Sequence, residues 1–208
     1  GKTYVQTDDD MTVDGVIFSK DTLTFNGGGS LTISAGYKHG VVSKDNLKVT
    51  DGVITITANG KGLQGKDSVR IGGGQIDITA GTEGIEGLEV YQTDGDVRIA
   101  AKDDGINAAG KDDSESDAGF SHGMMGDADE SCIIRITGGT LYVNASGDGL
   151  DSNGYLYIDG GTVLVDGPTS NGDGALDTGI RASITGGTVI AAGSSGMAET
   201  FDSASTQY

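Results

Sequence analysis

A glycine-anchored repeat of about 22 residues constrains this chain more than any other feature. It is marked by Gly28-Gly29-Ser30, Asp51-Gly52-Val53, Gly73-Gly74-Gln75, Asp94-Gly95-Asp96, Gly138-Gly139-Thr140, Gly160-Gly161-Thr162 and Gly186-Gly187-Thr188. The anchoring glycines follow one another at 23, 22, 21, 44, 22 and 26 residues. Two and four positions after each stand Leu31/Ile33, Ile54/Ile56, Ile76/Ile78, Val97/Ile99, Leu141/Val143, Val163/Val165 and Val189/Ala191. Period-two alternation predicts strands with one buried face, and the longer period stacks each strand on its counterpart one turn away.

Two further elements complete the coil. Leu47/Val49, Val69/Ile71, Ile134/Ile136, Leu156/Ile158 and Ala182/Ile184 read as a strand before each glycine turn. A third side opens at Gly40-Val41, Gly62-Leu63, Gly84-Ile85, Gly105-Ile106, Gly149-Leu150 and Gly174-Ala175. The expectation is an all-β, single-domain parallel β-helix over residues 1–208, with an N-terminal cap at 1–13 and a C-terminal tail at 197–208. The strand segments are rich in Val, Ile, Thr and Tyr, as β structure favours. The 38 glycines lack a collagen-like period, so they read as positional.

The 44-residue spacing is two coil lengths and reads as an acidic loop insertion at 110–131. Asp112, Asp113, Glu115, Asp117, Asp127, Asp129 and Glu130 oppose Lys111 alone there, so the segment cannot supply a buried face. Phe120, His122, Met124 and Met125 interrupt the charge, and a loop folding over a ligand is the sharper alternative to a solvated excursion.

With 13 basic and 31 acidic residues the formal charge is −18, which argues against nucleic acid or an anionic membrane surface as a partner. No apolar stretch approaches the ~20 residues of a membrane span. The lone Cys132 cannot form an intramolecular disulfide, and Ile133-Ile134 beside it predict a buried thiol. A start at Gly1 without methionine reads as a processed piece.

Aligning the third-side glycines puts His39, Lys61, Glu83, Asp104, Asp148 and Asp173 in one column. Two residues after the glycine runs a second: Val42, Gln64, Glu86, Asn107 and Asp151, joined by Asp177 if the last coil carries one extra residue. Carboxylates stacked ~5 Å apart repel by roughly 3 kcal/mol at an effective dielectric of 20. Protonation relieves that repulsion, and so does a bound divalent cation. Asp103-Asp104-Gly105-Ile106-Asn107, Asp148-Gly149-Leu150-Asp151-Ser152-Asn153 and Asn171-Gly172-Asp173 offer only hard oxygen donors, which favour Ca²⁺. The candidate metal ligands are therefore Glu83, Glu86, Asp103, Asp104, Asn107, Asp148, Asp151, Asn153, Asn171, Asp173 and Asp177. Taken singly, these Asp and Asn residues are also ordinary turn formers.

Ser19-Lys20-Asp21, Ser43-Lys44-Asp45 and Gly65-Lys66-Asp67 recur at near-coil spacing. They read as a solvated salt-bridge ladder or as a basic strip for acidic sugars, with Lys44 and Lys66 as the candidate contacts. Tyr155 and Tyr157, two apart, are placed to share a strand face, and Tyr91 and Tyr142 are further aromatic candidates.

The DGI, DGL and EGI turns, Gly147-Asp148-Gly149-Leu150-Asp151-Ser152-Asn153-Gly154, Asp166-Gly167-Pro168-Thr169-Ser170-Asn171-Gly172-Asp173-Gly174 and Ser203-Ala204-Ser205-Thr206-Gln207-Tyr208 resemble bacterial carbohydrate-binding β-helix proteins. That family binds cellulose and acidic, pectin-type plant polysaccharides, and its fold is similar to that of pectate lyases. The resemblance covers roughly residues 14 to 208. It implies a right-handed parallel β-helix, a secreted or surface-attached protein, and calcium on turns matched here by Glu83, Glu86, Asp104, Asn107, Asp148, Asp151, Asp173 and Asp177. The absence of tryptophan leaves a flat aromatic platform for cellulose poorly supplied.

Three function classes follow. The first is a noncatalytic, calcium-dependent polysaccharide-binding module. The second is a polysaccharide lyase in which Ca²⁺ neutralises a uronate while Lys44 or Lys66 removes the α proton, which requires a lysine pKa lowered toward the working pH. The third is a surface adhesin or scaffold with structural calcium.

Overall fold

The computed structural model describes residues 13–110, 128–203 and 205–206. Its elements are β1 (Gly15–Ser19), β2 (Leu23–Phe25), β3 (Ser30–Ala35), β4 (His39–Ser43), β5 (Asn46–Val49), β6 (Val53–Ala58), β7 (Leu63–Ala80), β8 (Ile85–Ala101), β9 (Ile106–Ala108), β10 (Ile133–Ile136), β11 (Thr140–Ala145), β12 (Leu150–Ser152), β13 (Tyr155–Asp166), β14 (Leu176–Thr178) and β15 (Arg181–Ala192). No helix interrupts them among the described residues, and none is long and apolar enough to cross a membrane. The strand pairs are parallel, each strand bonding to its counterpart in the next coil. The long β7, β8, β13 and β15 run through a glycine turn, so β13 and β15 each serve two sides of their coil and β7 and β8 all three.

Side 1 follows the glycine turn. Alternation of inner and outer residues is complete on β6, where Ile54, Ile56 and Ala58 point inward. Side 2 holds β1, β4, β9, β12, β14 and the first residues of β7 and β8. Side 3 holds β2, β5 and β10 with the middle of β7 and β8 and the start of β13 and β15. Inner columns such as Ile54/Ile76/Val97/Leu141/Val163, Val41/Leu63/Ile85/Ile106/Leu150/Leu176 and Leu47/Val69/Val90/Ile134/Leu156 converge in one apolar core. The Cys132 thiol is fully buried in it.

Two kinds of glycine shape the coil. Those ending the side 3 strand, from Gly52 to Gly187, adopt φ between +76° and +106°, a region that L side chains avoid. In the first coil that conformation falls on Gly27, two residues before Gly29, whose carbonyl accepts the Val53 amide. The 23-residue spacing absorbs this difference in the turn. The side 2 glycines answer to packing: a Cβ on Gly149 would collide with the Ala175 carbonyl oxygen and with Val165.

The stack continues directly across the 44-residue spacing. Ile133 pairs with Glu89 and Thr140 with Asp96, so β10 and β11 sit on β8 without a gap. A Cβ on Gly110 would lie 3.0 Å from Asp129 Oδ2, so the ends of the excursion meet. The acidic residues 111–127, and with them Phe120, His122, Met124 and Met125, lie outside the described residues, as do residues 1–12 of the cap. At the other end, Asp202 and Thr206 donate their amides to the carbonyls of Ala182 and Ile184, which lays the tail on an open edge of β15.

Candidate functional site

Side 2 builds the acidic ladder. Backbone pairing stacks Val42, Gln64, Glu86, Asn107, Asp151 and Asp177 in successive coils, in the register that the repeat predicts. The preceding column departs at its last member. Leu150 pairs with Leu176, so Gly174 and not Asp173 occupies the position above Asp148. The extra residue of the 26-residue coil lies before β14 and moves Asp173 one place out of register. Asp173 still stands near enough to raise the pKa of Asp148, and its Oδ2 accepts a hydrogen bond from Ser170.

The members of this column cap one another. His39 Nδ1 accepts the Lys61 amide at 2.9 Å, Asp104 Oδ1 the Asp148 amide at 2.8 Å, and Asp148 Oδ1 the Gly174 amide at 2.5 Å. The turn-forming role of these aspartates is thus real, and it uses one oxygen of each. Burial raises the Asp104 pKa to about 9, helped by the charges of Asp151, Asp103 and Asp148. Burial likewise lifts Asp148 to about 6, against the Gly174 amide and with Asp177, Asp173 and Asp103 adding to the rise.

Charge balance changes along the axis. Glu86 is held by Lys61 Nζ at 2.5 Å and by Gln64 Nε2 at 2.7 Å, so its carboxylate has a protein counter-charge although burial raises its pKa. Further along, the neighbours are carboxylates. Several oxygens in the same region are buried without a hydrogen-bond partner: Gln64 Oε1, Thr82 Oγ1, Glu83 Oε2 and Asn107 Oδ1. Such atoms are rare in folded proteins and mark either an internal cost or an external partner. A Cβ on Gly147 would lie 2.6 Å from Asp104 Oδ1 and 2.9 Å from Asp103 Oδ1, so this glycine leaves room between two carboxylates.

The remaining sequence-derived ligands are placed differently. Asn153 lies in the turn between β12 and β13, where its backbone bonds to Ala108 and Asp129. Asn171 Oδ1 accepts the Ser194 hydroxyl. Glu199, outside the repeat, joins the end of the ladder: burial raises its pKa, Thr178 bonds to it, and Asp177 adds repulsion. Nothing in the repeat pattern pointed to it. Among the described residues, no three His, Cys, Asp or Glu side chains converge closely enough to hold a metal by themselves.

Side 3 carries a strip of opposite chemistry. Its outer ladder runs Thr24, Lys48, Arg70, Tyr91, Arg135, Tyr157 and Ser183. Tyr155 and Tyr157 share this face, stacked with ring centres 5.5 Å apart. The arginines are the part that sequence reasoning missed. The Arg70 guanidinium lies 4.4 Å from the Tyr91 ring centre, and those of Arg135 and Arg181 lie 5.3 and 5.9 Å from that of Tyr157. Carboxylates hold them in place: Arg70 to Glu89 at 2.9 Å, Arg135 to Asp159 at 2.6 Å, and Arg181 to Asp202 at 3.2 Å. For Arg70 and Arg135 the signal was present as the residue between each pair of inner side 3 positions, whereas Arg181 stands just before its pair.

Lys44 and Lys66 lie at the corner between sides 2 and 3. The pairings Ser43 with Gly65 and Asn46 with Ser68 bring them into step, and Lys44 Nζ stands 5.7 Å from the Phe18 ring centre. They are neighbours of each other and belong to neither the acidic ladder nor the tyrosine pair. Tyr142 projects from side 1, opposite Arg98 in the next strand.

No curated protein and no solved structure matches the chain. The family described as carbohydrate-binding domain-containing protein matches residues 1–125, more than half of the 208. A solenoid with one acidic and one arginine–tyrosine face is the form in which the chain belongs to that carbohydrate-binding domain family.

Proposed function

We propose that this protein is a noncatalytic polysaccharide-binding module, secreted or attached to the cell surface, whose acidic ladder takes Ca²⁺ and through it acidic, pectin-type glycans. Family membership supports the carbohydrate. The observation that carries the calcium is the set of oxygens on side 2: buried Glu83 Oε2 and Asn107 Oδ1 without partners, beside Asp104 and Asp148 pushed toward protonation by burial and by one another. All are hard donors, and Ca²⁺ accepts carboxylate, amide, carbonyl and water oxygens in flexible geometry. Asp103, Asp104, Asn107, Asp148 and Asp151 would hold the ion, with Asp177 and Glu199 extending the site by one coil. No three of the described carboxylates converge, so at most two of these would bind one ion directly, and water and the glycan's own carboxylates would complete the shell.

Charge makes the same case. In a chain at −18, the acidic face of side 2 repels a polyuronate unless a cation lies between the two carboxylate sets. When bound, Ca²⁺ supplies that bridging charge. The lyase alternative requires a lysine able to act as a base beside the ladder. Lys61, the lysine within it, is committed to Glu86, and Lys44 and Lys66 lie at the corner. The arrangement thus favours binding over proton abstraction.

The test is titration with polygalacturonate, with cellulose alongside, in calcium and in chelator. Calcium should raise the melting temperature and strengthen polygalacturonate retention, with no absorbance from an unsaturated uronide. Calcium content and melting temperature that both ignore the chelator would sink the metal reading, because a ligand of the native state must stabilise it.

A further inference from the structure

We infer that side 3 is a second glycan-binding strip, one that works without calcium and grips the carboxylates of an acidic polysaccharide laid along the solenoid axis. This rests on the carbohydrate reading above and on a different face of the molecule. Three of the chain's four arginines gather on this side: Arg70 and Arg135 share one ladder with Lys48, and Arg181 stands in the column beside it, paired with Tyr155. The local balance of Lys48, Arg70, Arg135 and Arg181 against Glu89, Asp159 and Asp202 is four minus three, or +1, in a chain whose total is −18. Side 3 is therefore where an acidic glycan meets attraction directly.

The geometry goes beyond charge. Each arginine side chain is 47 % exposed, and each is held by a carboxylate and lies over a tyrosine ring. A guanidinium has five N–H donors, so one or two bonds within the strip fix its plane and leave the others for a ligand. Donors fixed in this way lose little entropy on binding, and their fork suits a carboxylate better than a lysine would. Arg70 and Arg135 stand two coils apart in one column, which at ~4.8 Å per coil sets them about 10 Å apart, and Arg181 reaches in from the neighbouring column two coils beyond Arg135. One sugar of an extended chain is about as long as one coil is thick, so alternate sugars reach successive arginines. Tyr91, between Arg70 and Arg135, and Tyr157, between Arg135 and the coil of Arg181, offer phenol hydroxyls to the intervening sugars. A groove of about 250 Å³ bordered by Lys48, Arg70, Tyr91 and Thr93 provides relief beside the ladder.

The experiment uses the whole protein in excess chelator. Binding of polygalacturonate, dextran sulfate and neutral dextran is measured by affinity electrophoresis, and arginines are footprinted with an arginine-specific dicarbonyl and mass spectrometry. Polygalacturonate should protect Arg70, Arg135 and Arg181 but leave Arg98, on side 1, reactive. The triple variant R70Q/R135Q/R181Q should bind at least about tenfold more weakly in chelator while keeping its calcium-dependent increment. Equal labelling of all four arginines in the wild type overturns the proposal without relying on any variant's fold, as does protection by dextran sulfate alone. Calcium-dependent binding that persists while chelator abolishes all binding removes side 3 and leaves the acidic ladder standing. Failure of every glycan in both media removes the carbohydrate reading itself.

Discussion

Sides 2 and 3 are built from the same coils at the same spacing, yet they handle charge in opposite ways. On side 2, like stacks on like: Asp104 and Asp148 are successive members of one column, and Asn107, Asp151 and Asp177 of the next. On side 3, Arg70, Tyr91, Arg135 and Tyr157 alternate, and each arginine has a carboxylate partner. A solenoid repeats whatever a column contains. Alternating the sign or the polarisability satisfies the column internally, whereas repeating one sign leaves a demand that only a proton or an added cation meets. Side 2 is therefore built to respond to its surroundings, and side 3 to present fixed groups.

The largest effect expected from this contrast is on side 2. Replacing Asp104 and Asp148 by Asn keeps Oδ1 as the acceptor of the Asp148 and Gly174 amides and removes both charges. The double variant should lose calcium-dependent polygalacturonate binding by a factor on the order of 100, since charged hydrogen-bond partners at a binding site are worth 2–5 kcal/mol. Its calcium-free form should melt a few degrees higher than wild type at pH 8. Retained binding, or a lower melting point at that pH, would separate the acidic ladder from calcium.

Next in size is the pH dependence of the calcium-free protein. Asp104 and Asp148 have folded-state pKa values raised to about 9 and about 6 from an ordinary 3.8. The native state therefore holds these protons more tightly than the unfolded chain. Their contribution is complete below about pH 4 and declines as pH rises, for Asp148 through about 6 and for Asp104 through about 9. The melting temperature should fall over that window, and saturating calcium should flatten the profile. R135Q should leave its slope unaltered, and a slope that follows the side 3 variant would contradict the division of labour.

Gly147→Ala comes third. The new methyl would crowd Asp104 Oδ1, Asp103 Oδ1 and, at 3.0 Å, the Asp103 carbonyl carbon. Overpacking of this kind costs about 1–3 kcal/mol, read by denaturant unfolding. Calcium affinity should fall with it. Unchanged calcium affinity would move the ion away from the Asp103–Asp104 pair.

The smallest effect belongs to side 3. R135Q should change stability by no more than about 2 kcal/mol, because a half-exposed ion pair and a cation–π contact are each worth about 1 kcal/mol or less. A much larger loss would make the strip a structural ladder and would weaken its reading as a binding surface.

The sequence made the inner columns and the Gln64-to-Asp177 column legible, because parallel stacking converts a constant repeat length directly into contact. It misled by one place at Asp173, where the extra residue before β14 shifts a side chain out of its column. The arginine–tyrosine strip escaped for a related reason. In the fourth coil the inner position beside Tyr91 is Gln92, which breaks the apolar alternation that identifies a side 3 strand. Gln92 is nonetheless buried, and its Nε2 donates at 3.0 Å to the Thr140 carbonyl, 48 residues away across the acidic insertion.

Periodicity alone specified a parallel solenoid of three-sided coils, since no other arrangement buries every apolar register of a repeat this short. Which side each charge would face, which carboxylate would meet Lys61, and which oxygens would be left without partners were decided by packing. Those outcomes depend on turn lengths and on contacts between coils, and a repeat written along one dimension does not contain them.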